Sequence, residues 1–255
     1  MLLEDHSQMT AGEICRLELR SRSVSLGQCE ASAGAKRIVT IRHAHIGAPQ
    51  GDINRLIADR YHSRGLTADA ALVKAQAAAG LLTLAAVVGQ APDPRTIGTM
   101  TLRIEVGETR LHCEGTYPEE VVQQRASGRL CEITGLAAES EHLSFPLMGA
   151  MFHTAFLYAK SFDAAVCLIE VHPRKASFYQ QCLGFVQVGP ERICERAKAP
   201  AVLLRLDLAW MEGQIRRFKA PGAPIGRSRL LYQYFFSNME VEGISRRLFA
   251  NNGRH

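Results

Sequence analysis

The chain has 255 residues, of which 47% are hydrophobic and 22% charged. That is enough apolar material for a sizeable core and excludes a disordered or low-complexity protein. The net charge of +5 suits an acidic partner or substrate, yet the basic residues are spread out and form no nucleic-acid reader motif.

Residues 1 to about 35 show no clear periodicity, and a loosely ordered extension is expected there. Its opening, MLLEDHSQMTAGE, carries acids where a secretion signal needs basic residues. Arg37–Ala44 alternates and reads as the first strand of a domain spanning 36–218. Helices are predicted over Asp52–Arg64, capped by Asp52, and over the alanine-rich Ala68–Ala79. Leu81–Val88 and Ile97–Val106 read as an antiparallel strand pair, and Pro118–Ala126 as a short helix with Glu119 and Glu120 in its first turn. RLCEITGLA then reads as a strand. SFPLMGAMFHTAFLYAK follows as a helix, with Ser144 as N-cap, Pro146 in the first turn and Lys160 near its end. AAVCLIEVHP is the next strand and RKASFYQQCLGF the next helix. His153, Lys160 and Asp163 interrupt the apolar stretch Phe145–Val171, so no integral membrane span is expected. FVQVG and Ala201–Leu208 are strands, ERICERAKAP is a charged connection, and Trp210–Arg217 is a helix. Residues 219–255 form a basic Pro/Gly linker and a tail whose Tyr232, Tyr234, Phe235 and Phe236 need burial, on the domain or on a neighbouring subunit.

The two strands flanking the long helix are short apolar runs, as in a parallel sheet buried on both faces, and each holds one acid: Glu132 and Glu170. A carboxylate there is paired, lies at a wet strand end, or is held protonated by a raised pKa. The last option makes Glu132 a candidate general base. The seven cysteines, Cys29 among them, are scattered without metal-site spacing, and they fit free thiols in a reducing, cytoplasmic compartment. His43, His45, His62 and His153 show no metal spacing either, so no metal site is expected.

VHPRKASFYQQCLGF resembles the second half of the GCN5-related N-acetyltransferase (GNAT) fold, an α/β (α+β) architecture with a mixed central sheet flanked by helices. CEITGLA resembles the Glu-containing strand of the acyl-homoserine-lactone synthases and of the N-acyl amino acid synthases. The ordered set GTMTLRIE, TYPEEVVQQRASGRLCEITGLA, EVHPRKASFYQQCLGF, APAVLLRLDL and RLLYQYFFS…GISRRL is most similar to the N-acyl amino acid synthases, over roughly residues 37 to 250. Where ordinary acetyltransferases place a glycine-rich diphosphate loop, this chain has AAESEHLSFPLMG, with Glu139 and Glu141. Four residues separate Tyr179 from Gly184, one more than in the ordinary pattern, which rotates Tyr179 by about 100° on its helix.

The resemblance implies an N-acyltransferase that moves a long-chain fatty acyl group from an acyl thioester to the amine of an amino acid, with no tightly bound cofactor. The implied donor is acyl carrier protein phosphopantetheine or acyl-CoA, the missing loop favouring the carrier protein. Such chemistry needs a base for the amine, an oxyanion site and a thiolate leaving group of pKa about 8.5. Glu132 supplies the base, and backbone N–H groups of Gly135, Leu136 and Ala137 supply the oxyanion site. Arg103 either binds the acceptor carboxylate or pairs with Glu132 or Glu105 across the sheet. Thr134 orients the acceptor or is a plain strand former, and Tyr179 is either the acid for the leaving thiolate or a core aromatic. His172 is a second base or a structural residue. Arg125, Arg129, Arg174 and Lys175 form either a carrier-docking patch or a solvated surface, and Phe152, Phe156 and Leu157 are candidates for an acyl tunnel. The competing expectations are an acyl-homoserine-lactone synthase or acyl-CoA-dependent N-acetyltransferase, and a non-catalytic acyl-binding or regulatory module.

Overall fold

The computed structural model describes residues 9–20, 36–46, 50–62, 78–89, 94–139, 144–223 and 229–250. Along the chain lie β1 (Glu13–Arg20), β2 (Lys36–His43), α1 (Gln50–His62), β3 (Leu81–Val88), β4 (Arg95–Ile104) and α2 (Pro118–Arg125). There follow β5 (Arg129–Ala138), α3 (Phe145–Ser161), β6 (Ala164–Val171), α4 (Pro173–Leu183), β7 (Val186–Gln187), β8 (Arg192–Cys194), β9 (Ala199–Asp207), α5 (Leu208–Lys219) and α6 (Asn238–Ala250). The strands form a mixed sheet in the order β1-β2-β3-β4-β5-β6-β9-β7, with β8 paired to β9 off that path. β5 and β6 run parallel, and the other described pairs are antiparallel.

Strand alternation sorts the side chains onto two faces. Leu82, Leu84 and Ala86 of β3 join Met100, Leu102, Cys131, Ile133, Cys167 and Ile169 in the main core, beneath α3 and α5. Ala85 and Val87 point the other way, onto Ile53, Leu56 and Ile57 of α1. Further along that second face, Leu130, Val166, Leu168 and Leu203 pack against Leu111, Cys113, Tyr117 and Val121.

From Leu147 to Ala159, α3 is buried at every position but Leu157. A helix apolar on all sides needs a second cover, and the C-terminal segment provides it. The Phe236 N–H donates to His153 Nδ1 at 3.0 Å, and the His153 ring stacks on Phe235 at 4.6 Å. The Tyr232 hydroxyl donates to the Leu183 carbonyl at 2.5 Å. Gly149 admits this segment, since a Cβ there would stand 2.8 Å from that of Tyr234. The tail therefore docks on its own domain and shares its core. Tyr234 departs from the expected burial: it is 38% exposed and stacks on Phe145.

The expectation of a loosely ordered N-terminus fails at Glu13–Arg20, which is strand β1 along β2. Ile14, Cys15 and Leu17 are buried there, and Arg247 Nε of α6 donates to the Ile14 carbonyl at 2.7 Å. A cover supplied from the far end of the chain makes this strand stable. The charged connection is likewise structured: Arg192↔Ala201 and Cys194↔Ala199 pair as a hairpin whose turn contains Lys198 at φ +51°. α1 begins at Gln50, which places Asp52 in its first turn, 2.8 Å from Arg55. The helix expected over Ala68–Ala79 lies outside the described residues except for Ala78 and Ala79, as does Cys29.

Candidate active site

The site begins where two parallel strands part. β5 and β6 pair from Arg129↔Ala164 to Ile133↔Ile169 and no further, although β5 runs on to Ala138 and β6 to Val171. On its other edge, β5 pairs Thr134 with Thr101 and then Ala137 with Thr99, so Gly135 and Leu136 together oppose the single residue Met100. This is a β-bulge, and Gly135 takes φ +59°, a conformation that glycine adopts without a Cβ penalty. The bulge bends β5 away from β6 and opens a cleft of about 490 Å³. Thr134, Gly135 and Leu136 form one wall, Glu170, Val171 and His172 a second, and Arg196 with Ala197 a third. Arg174, Lys175 and Tyr179 of α4 stand at the cleft as well.

Glu132 lies in the lining of this cleft, with no residual exposure. Its carboxylate accepts the His112 N–H at 2.5 Å on Oε2 and the Cys113 N–H at 3.0 Å on Oε1. Burial pushes its pKa up to about 7; Arg196 and the two N–H groups oppose the rise, and Glu170 adds to it. A carboxyl held near neutrality is suited to taking a proton from an amine. Around it, Arg196 Nη2 donates to Glu170 Oε2 at 2.8 Å and Nη1 to His112 Nδ1 at 3.0 Å. A guanidinium only donates, so His112 Nδ1 is the acceptor. Burial, with Arg103 and Arg196 alongside, lowers the His112 pKa to about 4.

The structure brings Glu132, Thr134, Gly135, Leu136 and Tyr179 together at one cleft. Two expected residues stand outside its lining. Ala137, past the bulge, is 2% exposed and packs with the α1 cluster. Arg103 sits opposite Glu132 in the β4–β5 ladder, with Nε donating to the Arg110 carbonyl at 3.1 Å, while Glu105 pairs with Arg125. Tyr179 lines the cleft and packs as an aromatic, its ring 5.2 Å from that of Phe178 and 6.2 Å from that of Phe185. His172 caps α4, accepting the Arg174 N–H at 3.2 Å. The expected basic patch divides. Arg174 and Lys175 line the cleft, whereas Arg125 pairs with Glu105 at 2.6 Å and Glu114 at 2.9 Å, and Arg129 donates to the Phe162 carbonyl. Arg196 and His112 are missed by the sequence reading, although the acid Glu170 near the end of an apolar strand is a signal that some cation must face it.

Beneath the cleft, on the α3 side, Phe152 and Phe156 line an apolar void of about 10 Å³, and Ile133 borders both spaces. Leu157 is not in that lining. At the α3 N-terminus, the Ser144 hydroxyl accepts the Leu147 N–H at 3.4 Å, Pro146 has no N–H, and the Met148 N–H donates to the Ser144 carbonyl at 3.0 Å. Few first-turn donors remain there for a diphosphate.

The family of the N-acyl amino acid synthase FeeM matches residues 52–207. Among solved structures, FeeM, an N-acyl amino acid synthase from uncultured soil microbes, superposes with a TM-score of 0.60 at 19% identity, over 69% of this chain and 94% of that one. The protein bh2621 of Bacillus halodurans gives 0.46 at 12% identity, over 79% and 94% of the two chains. The AHL synthase LasI gives 0.45 at 16% identity, over 69% and 91%. No curated protein matches the sequence.

Proposed function

The chain belongs to the family of the N-acyl amino acid synthase FeeM and is an N-acyltransferase of GNAT-like fold, and from that premise we propose that it transfers a long-chain fatty acyl group from an acyl carrier protein thioester to the amine of an amino acid. The observation that carries this reading is the buried Glu132, poised near pH 7 in the lining of the cleft where β5 and β6 part.

In this reading the acceptor ammonium first loses one proton to solvent by way of Glu132; the free amine nitrogen then attacks the thioester carbonyl and passes its second proton to the Glu132 carboxylate. A C–N bond forms while negative charge collects on the carbonyl oxygen. The Gly135–Leu136 bulge, opposed by neither β6 nor a second β4 residue, supplies backbone N–H groups to that oxygen. The C–S bond then breaks and the thiolate leaves, taking up the proton that Glu132 holds. A thiol pKa of about 8.5 makes this an easy departure.

Two features support a carrier-bound donor. The capped, proline-bearing start of α3 suits a diphosphate poorly, and exposed Arg174 and Lys175 at the cleft suit an acidic carrier. The acyl chain would run past Ile133 toward Phe152 and Phe156. Among the described residues no helix is long and apolar enough to cross a membrane, and the described cysteines are buried free thiols, consistent with work in the reducing cytoplasm.

The test is turnover of purified protein with long-chain acyl carrier protein, acyl-CoA and a mixture of amino acids, products being read by mass spectrometry. N-acyl amino acids from the carrier-bound donor are expected, falling on the order of 10²–10⁴-fold in Glu132→Gln. Better turnover with acyl-CoA would overturn the donor assignment. Absence of any acylated amine would overturn the function.

A further inference from the structure

An α-amino acid carries its amine and its carboxylate on the same carbon. A site that presents a base to the amine must therefore leave the carboxylate close by, in a buried setting where it needs a cation. Among the described residues the candidates separate by geometry. Arg174 and Lys175 are exposed on α4. Arg192 is engaged with Glu120 at 2.8 Å and lies over the Tyr117 ring at 5.0 Å, and Arg103 is outside the cleft lining. Arg196 alone of these is in the lining and also locked in place, with 30% of its side chain exposed.

We propose that Arg196 is the anchor for the acceptor's carboxylate, and that Glu170 and His112 are the positioning residues that hold its guanidinium toward the cleft. The assignment rests on the amino-acid acceptor proposed above. Two of the five guanidinium N–H groups are committed, one to Glu170 and one to His112. These two bonds fix its plane and leave donors for a two-pronged carboxylate contact. The β8–β9 hairpin carries Arg196 in its turn, which closes through Lys198 at φ +51° and the pairing of Cys194 with Ala199. Charge balance agrees. Glu170 neutralises Arg196 in the empty site, and the entering zwitterion adds one charge of each sign, its amine toward Glu132 and its carboxylate toward Arg196. An acceptor lacking the carboxylate leaves the spare donors to water.

The experiment compares an accepted amino acid with its decarboxylated amine as acceptors for wild type, Arg196→Met and Arg196→Lys, with circular dichroism and thermal melting to verify folding. Arg196 also acts on Glu132, but that effect falls on both acceptors alike, so the ratio of their kcat/KM values isolates the carboxylate contact. In Arg196→Met the amino acid is expected to lose on the order of tenfold to a hundredfold more kcat/KM than the amine, mainly through KM. Arg196→Lys should lie between, because a lysine keeps the charge without the fork. Equal losses for both acceptors in a folded variant would overturn the anchor while leaving the acyltransferase reading standing. A wild type that acylates amines but shows no preference for the carboxylate-bearing acceptor overturns it too. No acylation of any acceptor removes the functional reading and the anchor with it.

Discussion

The raised pKa of Glu132 has a cost to folding that can be measured apart from catalysis. Moving a carboxyl from 4.5 in the unfolded chain to about 7 in the folded protein is worth about 3 kcal/mol, at about 1.4 kcal/mol per pH unit. Between those two values the folded state keeps a proton that the unfolded state has released. Stability therefore falls as pH rises through this window and levels off above pH 7. Glu132→Gln removes the ionisation and keeps the shape. Its amide nitrogen must face the N–H of either His112 or Cys113, a mismatch of about 1–3 kcal/mol that does not change with pH. Other groups titrate in the same range. His43 and His112, both lowered to about 4 chiefly by burial, contribute a term of the opposite sign, stability rising with pH up to the ordinary histidine value. Subtracting the variant's urea-unfolding free energy from that of wild type at each pH cancels these terms to first order. The difference should move against wild type by about 3 kcal/mol between pH 4.5 and 8. A flat difference would mean that Glu132 ionises as an ordinary carboxylate and would refute its role as a base tuned by burial.

Catalysis should follow the same proton. The acid limb of kcat/KM is expected near pH 7 and should move upward in Arg196→Met, since Arg196 opposes the rise of Glu132; a limb near pH 4.5 in wild type would contradict this. Phe156→Leu enlarges the void below Ile133 and should shift product chain length upward at a stability cost of about 1 kcal/mol, measured by the product distribution with a mixture of acyl carriers. Arg174→Glu with Lys175→Glu should lower kcat/KM for acyl carrier protein on the order of tenfold or more at low salt. Turnover of a small acyl-pantetheine thioester should fall far less. Gly149→Ala drives a methyl against Tyr234 and should cost about 1–3 kcal/mol. Hydrogen exchange should place the loosening in residues 231–248 rather than in β4–β6.

The cleft unites two kinds of group that folding alone would keep apart. Glu132 and Glu170 are buried acids on one face of the sheet, and each is offset locally. The first is held by two backbone N–H groups, the second by Arg196. Breaking such an arrangement by removing one partner leaves an uncompensated buried charge, whereas replacing the whole set by apolar residues would be neutral or better for stability. Their presence together beside the cleft where β5 and β6 part accords with the acid–base role proposed for Glu132.

What the sequence made legible follows the range of the interactions. The strand–helix–strand unit around Glu132 was readable because apolar runs, the Ser144 cap and Pro146 are local signals, and an acid within an apolar strand stands out against its neighbours. β1 was not, because the surface that stabilises it belongs to α6, more than two hundred residues further on. Arg196 was hidden in a run of charges whose hairpin depends on pairing with β9, although Glu170 had already posed the question of its counter-charge. Ala137 shows the finer limit. Strand alternation carried past Gly135 would keep residue 137 on the face of residues 131 and 133, which pack under α3. The bulge inserts one residue, inverts the alternation and sends Ala137 to α1. The glycine that announces the bulge was in plain view. Its consequence, that Gly135 and Leu136 face the cleft while the residue after them does not, depends on β4 offering only Met100 against the pair, and that is a fact of register which β5 alone does not contain.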